Sequence, residues 1–172
     1  MSGLLAACRP ALVFGLPAAA VALLLDQVSK AWALVALWPP HLPHPVTPFF
    51  NLRLGFNTGI SFGMFAGGPA ESAWVLIAVC TVIAVGLLAW MWRSRSRQEA
   101  AGLGLVIGGA VGNIADRARL GAVTDFLDFH VASYHWPTFN LADTAIFIGV
   151  ALILLVGRRR TPAPPPTSIA QP

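Results

Sequence analysis

Four long apolar segments, each bounded by charged or proline-rich stretches, dominate this sequence. They cover residues 11–38, 71–92, 101–120 and 139–157. About 20 apolar residues suffice for a helix to cross a bilayer. Hydrophobic residues make up 56% of the 172 residues and charged residues only 10%, which is unlike an ordinary soluble domain. The sequence therefore predicts a single α-helical membrane domain of four spans over residues 1–160.

Basic residues flank the apolar segments and predict which side each end faces. Of the eleven Lys and Arg, seven form three such flanking clusters: Arg9; Arg93, Arg95 and Arg97; Arg158, Arg159 and Arg160. Cytoplasmic loops carry this excess of positive charge, so we expect both termini in the cytoplasm. The net charge of +4 does not predict nucleic-acid binding, because no basic face with interleaved aromatic residues is found.

An ionisable pair lies inside the first span, which is too long for a removable signal peptide. Asp26 and Lys30 are four residues apart, on one helical face, with the acid N-terminal to the base. One interpretation is a lysine that snorkels to the interface beside a neutralising carboxylate. The other is that the pair faces a polar protein interior next to an active site.

The stretch between the first two spans is too polar and glycine-rich to cross a membrane. Apolar residues alternate with polar residues or glycine over residues 50–56, which is the period of a β-strand. The following Asn57, Thr58 and Gly59 have the composition of a turn. We expect a small extramembrane sheet over residues 49–66, with Asn57 acting either in the turn or as a contact to a substrate backbone.

The third span combines closely packed glycines with a polar end. Small residues recur there at every fourth position: Gly104, Gly108 and Gly112. This spacing lets two helices approach closely. Asn113, Asp116 and Arg117 follow at the outward end of the span. Asp116 and Arg117 form either an exposed interfacial ion pair, which contributes little, or part of an internal network. The second span has no ionisable residue in its interior and is predicted to be scaffolding.

Two aspartates lie in and just after the last predicted loop, residues 121–137. Asp125 lies in the loop, and Asp143 lies just inside the fourth span, three residues after Asn140. Two close carboxylates do not both ionise easily, so one keeps a proton while the other can activate water. This is the chemistry of an aspartic peptidase. The same loop contains Asp128, His130 and His135. Either histidine could assist the chemistry, but we expect both to be solvent-exposed loop residues.

Metal and disulfide chemistry are not predicted. Cys8 and Cys80 form no framework, and Cys80 lies within an apolar span. His41 and His44 are three residues apart in a proline-rich loop without a third ligand, and no HExxH or CxxC motif occurs.

Five blocks of this sequence together resemble one known family. LDQVSK, FNTGISFG, GGAVGNIADR, VTDF and FNLAD follow one another from Asp26 to Asp143 in the order seen in lipoprotein signal peptidase, the bacterial signal peptidase II. The resemblance implies four transmembrane helices of the bacterial cytoplasmic membrane and a small sheet, the cradle, on the periplasmic side. It also implies a short outer helix or lid in the loop before the fourth span.

The resemblance further implies an activity and the roles of particular residues. The enzyme would be an aspartic endopeptidase that removes the signal peptide of a prolipoprotein, cutting N-terminal to a cysteine that carries diacylglyceryl. Asp125 and Asp143 would be catalytic, at the periplasmic face. Supporting residues would be Asp26, Lys30, Asn57, Gly59, Asn113, Arg117 and Asn140. No cofactor or metal would be required, the partners would be prolipoproteins and membrane lipids, and globomycin would occupy the same groove.

Two departures and two rival interpretations accompany this resemblance. Ile60 and Ser61 stand where small, alanine-like residues are usual, and the proline-rich tail, residues 161–172, has no counterpart and is expected to be disordered. A proton-coupled transporter would instead need ionisable groups through the depth of the membrane and an internal repeat. A non-enzymatic assembly subunit would leave the two aspartates unexplained. We expect a monomer.

Overall fold

Helices occupy all four apolar segments. In the computed structural model, which describes residues 10–59 and 69–160, a π-helical turn at Ala11–Gly15 leads into helix α1, Leu16–Ala36. Three further helices follow: α2, Pro69–Arg93; α3, Arg97–Leu120; and α4, Leu141–Arg160. α3 begins before its predicted start because the Ser96 side chain caps it, accepting a hydrogen bond from the Glu99 backbone N–H.

The helices differ in their capacity to cross a membrane. Within residues 10–59 and 69–160, two stretches qualify as spans by length and composition, Ala11–Ala36 and Ala73–Arg93, and Leu141–Gly157 is a shorter apolar helix. α3 is more polar, because charged residues lie in both its first and its last turn. The four-span topology therefore stays a prediction at this stage.

Helix α3 is the centre of the bundle and packs against α1, α2 and α4. Its glycines permit the contact. A Cβ atom on Gly104 or Gly108 would collide with the backbone carbonyl of Gly15 or Ala19, and one on Gly109 would lie 2.5 Å from the Ala142 carbonyl oxygen. The close helix approach predicted from the glycine spacing is confirmed.

A four-stranded antiparallel sheet lies at one end of the bundle. Its strands are β1, His44–Thr47; β2, Phe50–Asn57; β3, Val123–Val131; and β4, Tyr134–His135, in the order β1-β2-β3-β4. The strand predicted over residues 50–56 is confirmed as β2. The proline-rich stretch before it contributes β1, where proline is tolerated because β1 is an edge strand.

The outer helix or loop expected within residues 121–137 is wrong: this stretch forms β3 and β4. The physical reason is that β3 pairs with β2 from Val123 opposite Asn57 to Phe129 opposite Phe50, with one register shift, and its last two residues pair with β4. These pairings give its backbone groups hydrogen-bond partners. The remainder of the outer region, residues 60–66, lies outside the described residues. So do the departure at Ile60 and Ser61 and the tail at 161–172.

A small apolar cluster joins the sheet to the helices. Ala33 and Leu37, at the end of α1, pack with Leu54 of β2 and Phe126 of β3, and all four are buried. Because Phe126 follows Asp125 directly in β3, this cluster fixes the position of Asp125 relative to the end of α1.

We predict that Gly108→Ala destabilises the bundle by about 1–3 kcal/mol, because the new methyl group meets a backbone carbonyl that cannot move aside. Gly86→Ala is the matched control, since nothing lies within 4 Å of a Cβ atom there. The free energy of unfolding in detergent, measured by denaturant titration, checks this. Equal effects in the two variants would contradict the close approach of α1 and α3.

Candidate active site

Asp125 lies on β3, buried against the ends of the helices, with 2% of its surface exposed. Its Oδ1 accepts a hydrogen bond of 2.6 Å from Asn140 Nδ2. Burial raises the pKa of the Asp125 carboxyl to about 6, against the lowering effect of that hydrogen bond. The charge of Asp143 also raises this pKa, whereas Asn57 and Lys30 lower it. Asp125 is thus an acid that keeps its proton in mildly acidic solution.

Asn140 connects Asp125 to Asp143. Asn140 Oδ1 accepts a hydrogen bond of 3.0 Å from the Asp143 backbone N–H, and Asp143 Oδ2 accepts one of 3.3 Å from the Asn140 backbone N–H. This reciprocal arrangement is a capping box at the start of α4. Since the Asn140 side chain also binds Asp125, one residue positions both carboxyl groups.

Asn113 of α3 fixes the second oxygen of Asp143. Its Nδ2 donates a hydrogen bond of 2.9 Å to Asp143 Oδ1, and its Oδ1 accepts one of 2.9 Å from Lys30 Nζ. The amide orientation follows from these partners, because the ammonium group of lysine only donates. The Asp143 carboxyl is therefore held from both α3 and the helix N-terminus, where the helix dipole favours negative charge.

Lys30 is the centre of a buried charge cluster. Its Nζ lies 2.9 Å from Asp26 Oδ2 and 3.4 Å from Asp116 Oδ2, and the Lys30 side chain is only 1% exposed. Asp26 Oδ1 accepts a hydrogen bond of 2.9 Å from the Ala142 backbone N–H, in the first turn of α4. The snorkelling interpretation of Lys30 is wrong, because its ammonium group points into the protein. The Lys30–Asp26 pair faces a polar protein interior, as the other interpretation expects; its place beside an active site stays a prediction.

Asp116 belongs to this cluster although the sequence analysis did not include it among the site residues. Its Oδ1 lies 2.9 Å from Arg119 Nη2, and its Oδ2 accepts a hydrogen bond of 3.0 Å from the Thr124 backbone N–H, next to Asp125. An exposed Asp116–Arg117 pair is wrong, since Asp116 is buried and pairs with Arg119 and Lys30. A signal was available: Asp116 follows Gly112 by one helical turn and so shares the face that contacts α1.

Asn57, Gly59 and Arg117 lie at the rim of this arrangement. Asn57 Oδ1 accepts a hydrogen bond of 2.8 Å from the Gly59 backbone N–H, and Gly59 adopts a φ of +75°. The turn interpretation of Asn57 is confirmed, and its side chain also acts on Asp125. Arg117 Nη1 is 3.5 Å from the Asn113 carbonyl oxygen, and among the described residues Arg117 Nε has no hydrogen-bond partner.

Asp125 opens into a cleft of about 460 Å³ between β2, β3 and the chain that leads into α4. The cleft is lined by His41, Arg53, Gly55, Phe56, Asn57, Asp125, Asp128, His135, Trp136, Pro137 and Thr138. Within residues 10–59 and 69–160, no group of three or more His, Cys, Asp or Glu is placed to hold a metal ion.

Asp128 and His135 line the same cleft. The His135 side chain is 41% exposed to solvent, as expected, but it is also bonded to Asp128. Asp128 is fully buried, and its Oδ1 lies 2.8 Å from His135 Nδ1. His130 stacks on His135, with ring centroids 5.0 Å apart. This cluster was not predicted, because a loop was expected where β3 and β4 pair.

Comparison with known proteins first defines the class. A solved bacterial membrane enzyme, determined at 1.9 Å resolution by the in meso method, superposes with a TM-score of 0.74 at 26% identity, covering 86% of this chain and 94% of that chain. A second, at 2.3 Å, gives a TM-score of 0.72 at 24% identity, over 87% and 94% of the two chains. The fold is that of a bacterial membrane enzyme.

Sequence comparison then defines the family. The profile described as "Signal peptidase (SPase) II" matches residues 18–157. Lipoprotein signal peptidase of Rhizorhabdus wittichii is 48% identical over 145 residues, 82% of this chain and 83% of the relative. That of Nitrobacter hamburgensis is 47% identical over 154 residues, 87% and 94% of the two chains. The chain belongs to the signal peptidase II family, integral inner-membrane peptidases that remove signal peptides from prolipoproteins.

We predict that Lys30→Met destabilises the protein by about 3–5 kcal/mol, because two buried carboxylates lose a shared cation. Arg119 is the other cation beside Asp116, and the Arg119 side chain is 61% exposed. Arg119→Met should therefore cost less than about 1 kcal/mol. Denaturant titration in detergent measures both. A larger loss for Arg119→Met than for Lys30→Met would show that the buried lysine is not the centre of the cluster.

Proposed function

We propose that this chain is an aspartic endopeptidase that removes the signal peptide of diacylglyceryl-modified prolipoproteins by cutting N-terminal to the lipidated cysteine. Asp125 and Asp143 are the catalytic dyad. The observation that carries this proposal is the double role of Asn140, which binds the Asp125 carboxyl and forms a capping box with Asp143. Membership of the signal peptidase II family supports the substrate class.

The dyad works by sharing one proton. Asp125, whose pKa is raised to about 6 by burial, holds the proton and donates a hydrogen bond to the scissile carbonyl oxygen. Asp143 accepts a proton from a water molecule, which attacks the carbonyl carbon. Asn113 and Asn140 keep the Asp143 carboxylate in place, and the rim residues Asn57, Gly59 and Arg117 contact the substrate backbone. No covalent intermediate is needed.

The position of the dyad suits a substrate that is anchored in lipid. Asp143 lies in the first turn of α4 and Asp125 in the sheet, so the two acids meet where the helices end. Each buried methylene of the diacylglyceryl group contributes about 0.8 kcal/mol to membrane binding and holds the peptide at that depth. We also propose that the enzyme acts as a monomer.

The orientation follows from charge. The basic residues between α2 and α3 lie at the opposite end of α3 from the sheet, and α4 ends at Arg158–Arg160. By the positive-inside rule these ends and both termini are cytoplasmic, so the sheet and the dyad are periplasmic, within one four-span domain. The buried charges of the described helices gather near the sheet, which favours a hydrolytic site over a transporter, whose relay would run through the membrane.

We predict that Asp125→Asn or Asp143→Asn lowers cleavage at least about a thousand-fold, because each removes one half of the proton-sharing pair while keeping side-chain size. The measurement is a gel-shift assay with a diacylglyceryl-modified prolipoprotein and its unlipidated precursor. Glu99→Gln, a carboxyl at the other end of α3, is the control and should retain activity. Substantial cleavage by either Asp variant would refute the dyad.

We predict that kcat/KM falls as pH rises through about 6, since Asp125 then loses the proton that the mechanism requires. The decline approaches about ten-fold per pH unit. Because the hydrogen bond from Asn57 lowers the pKa of Asp125, Asn57→Ala should move the decline to higher pH. A rate that climbs through this range would assign the ionised form to Asp125 and reverse the two roles.

A further inference from the structure

The chain between β4 and α4 runs back along β3 and is attached to it at both ends. At one end His135 Nδ1 lies 2.8 Å from Asp128 Oδ1, and at the other Asn140 Nδ2 lies 2.6 Å from Asp125 Oδ1. Two aspartates of one strand therefore hold the two ends of the same segment. Its middle, Trp136–Thr138, forms one wall of the cleft into which Asp125 opens. We call these three residues the cleft wall.

Asp128 is built as an anchor. It is fully buried, and Asn51 Nδ2 of β2 donates a second hydrogen bond, 3.2 Å to Oδ2. Burial by itself would raise the pKa of Asp128, but the hydrogen bonds from His135 and Asn51 and the charges of His135 and Arg53 lower it below the ordinary value. The carboxylate is thus kept ionised, and its bonds are charge-assisted, which makes them stronger than neutral ones.

The backbone bonds that attach the chain around the cleft wall to β3 are concentrated at one end. Phe139 N–H donates to the Leu127 carbonyl oxygen at 3.1 Å, and the Phe139 carbonyl oxygen accepts from Leu127 N–H at 2.9 Å and from Phe126 N–H at 3.1 Å. At the other end, Trp136 N–H donates to the Phe129 carbonyl oxygen at 2.8 Å. His135 comes directly before Trp136 in the chain, so the bond from its side chain to Asp128 determines how firmly this end of the cleft wall is attached. A short two-residue strand such as β4 is weakly held by its ladder alone.

We propose that Asp128 and His135 are a positioning pair, whose bond holds the cleft wall in the geometry that binds substrate. The pair acts through the wall and touches neither the dyad nor the reacting bond. Its loss therefore weakens substrate binding and leaves the chemical step almost unchanged. The assignment of the bound molecule as substrate rests on the proposed function; the attachment of the wall does not.

The kinetic test compares three variants with the wild type. His135→Phe keeps the ring that stacks on His130 but removes the donor to Asp128, and should raise KM about three- to ten-fold with kcat changed less than about two-fold. His135→Asn places an amide N–H near the position of Nδ1 and should restore KM. His130→Phe, which changes the stacked neighbour without touching Asp128, is the control and should behave as wild type.

A second measurement is independent of catalysis. Amide hydrogen exchange in detergent should speed up over residues 134–139 in His135→Phe, and should be unchanged in His135→Asn and His130→Phe. If the wild type fails to cleave any prolipoprotein, the proposed function is refuted. Amide hydrogen exchange then still tests whether the Asp128–His135 bond holds the cleft wall. If wild type cleaves but His135→Phe keeps its KM and its exchange rates, the positioning pair is refuted. An equal loss of kcat, or no rescue by Asn, refutes it as well.

Discussion

The buried ammonium group of Lys30 is the interaction on which the rest of the site depends. It lies 2.9 Å from Asp26 and 3.4 Å from Asp116, two carboxylates that are themselves buried. A buried charge without a partner costs several kcal/mol, so these three side chains require one another. Because Lys30 also donates to Asn113, which in turn binds Asp143, the cluster transmits its rigidity to the candidate active site.

Glycine packing makes this cluster possible. A Cβ atom on Gly112 would collide with the Asp26 carboxyl, so the absence of a side chain there makes room for the acid between α1 and α3. Close approach of the helices at Gly109 similarly places the start of α4 within reach, and Asp26 accepts a hydrogen bond from Ala142. Charge pairing and helix packing therefore depend on each other. Close packing brings the charged side chains within bonding distance, and their bonds hold the helices together.

The sheet adds a second aspartate to what the helices provide. Asp116 binds the Thr124 backbone N–H and so aligns the beginning of β3, while Asn140 binds Asp125 and starts α4. Both acids of the proposed dyad are therefore held by residues that also hold the fold together: Asn140 caps α4, and Asn113 binds Lys30. Strand β3 then carries a further acid, Asp128, whose partner His135 belongs to the segment that returns to the site. A single strand thus carries both the proposed catalytic acid Asp125 and the proposed positioning residue Asp128.

Much of this protein could be predicted from sequence, because the signals are local. Apolar blocks predict the helices, alternation over residues 50–56 predicts β2, and glycine spacing predicts the close face of α3. The five motif blocks led to the family and to Asp125 and Asp143 as candidate residues. These features depend on neighbours within one turn or one strand, where the period of side chains is set by backbone geometry.

Only the tertiary structure decided which polar groups meet. Asp116 pairs with Lys30, 86 positions away in the chain, and this contact decides between the exposed and the internal alternatives that the sequence left open. Residues 127–131, LDFHV, alternate apolar and polar side chains, but this stretch forms part of β3 only because it pairs with β2, more than 60 residues earlier. Pairings of this kind are set by how the helices and the sheet pack. A local sequence pattern does not show which residues far apart in the chain come into contact.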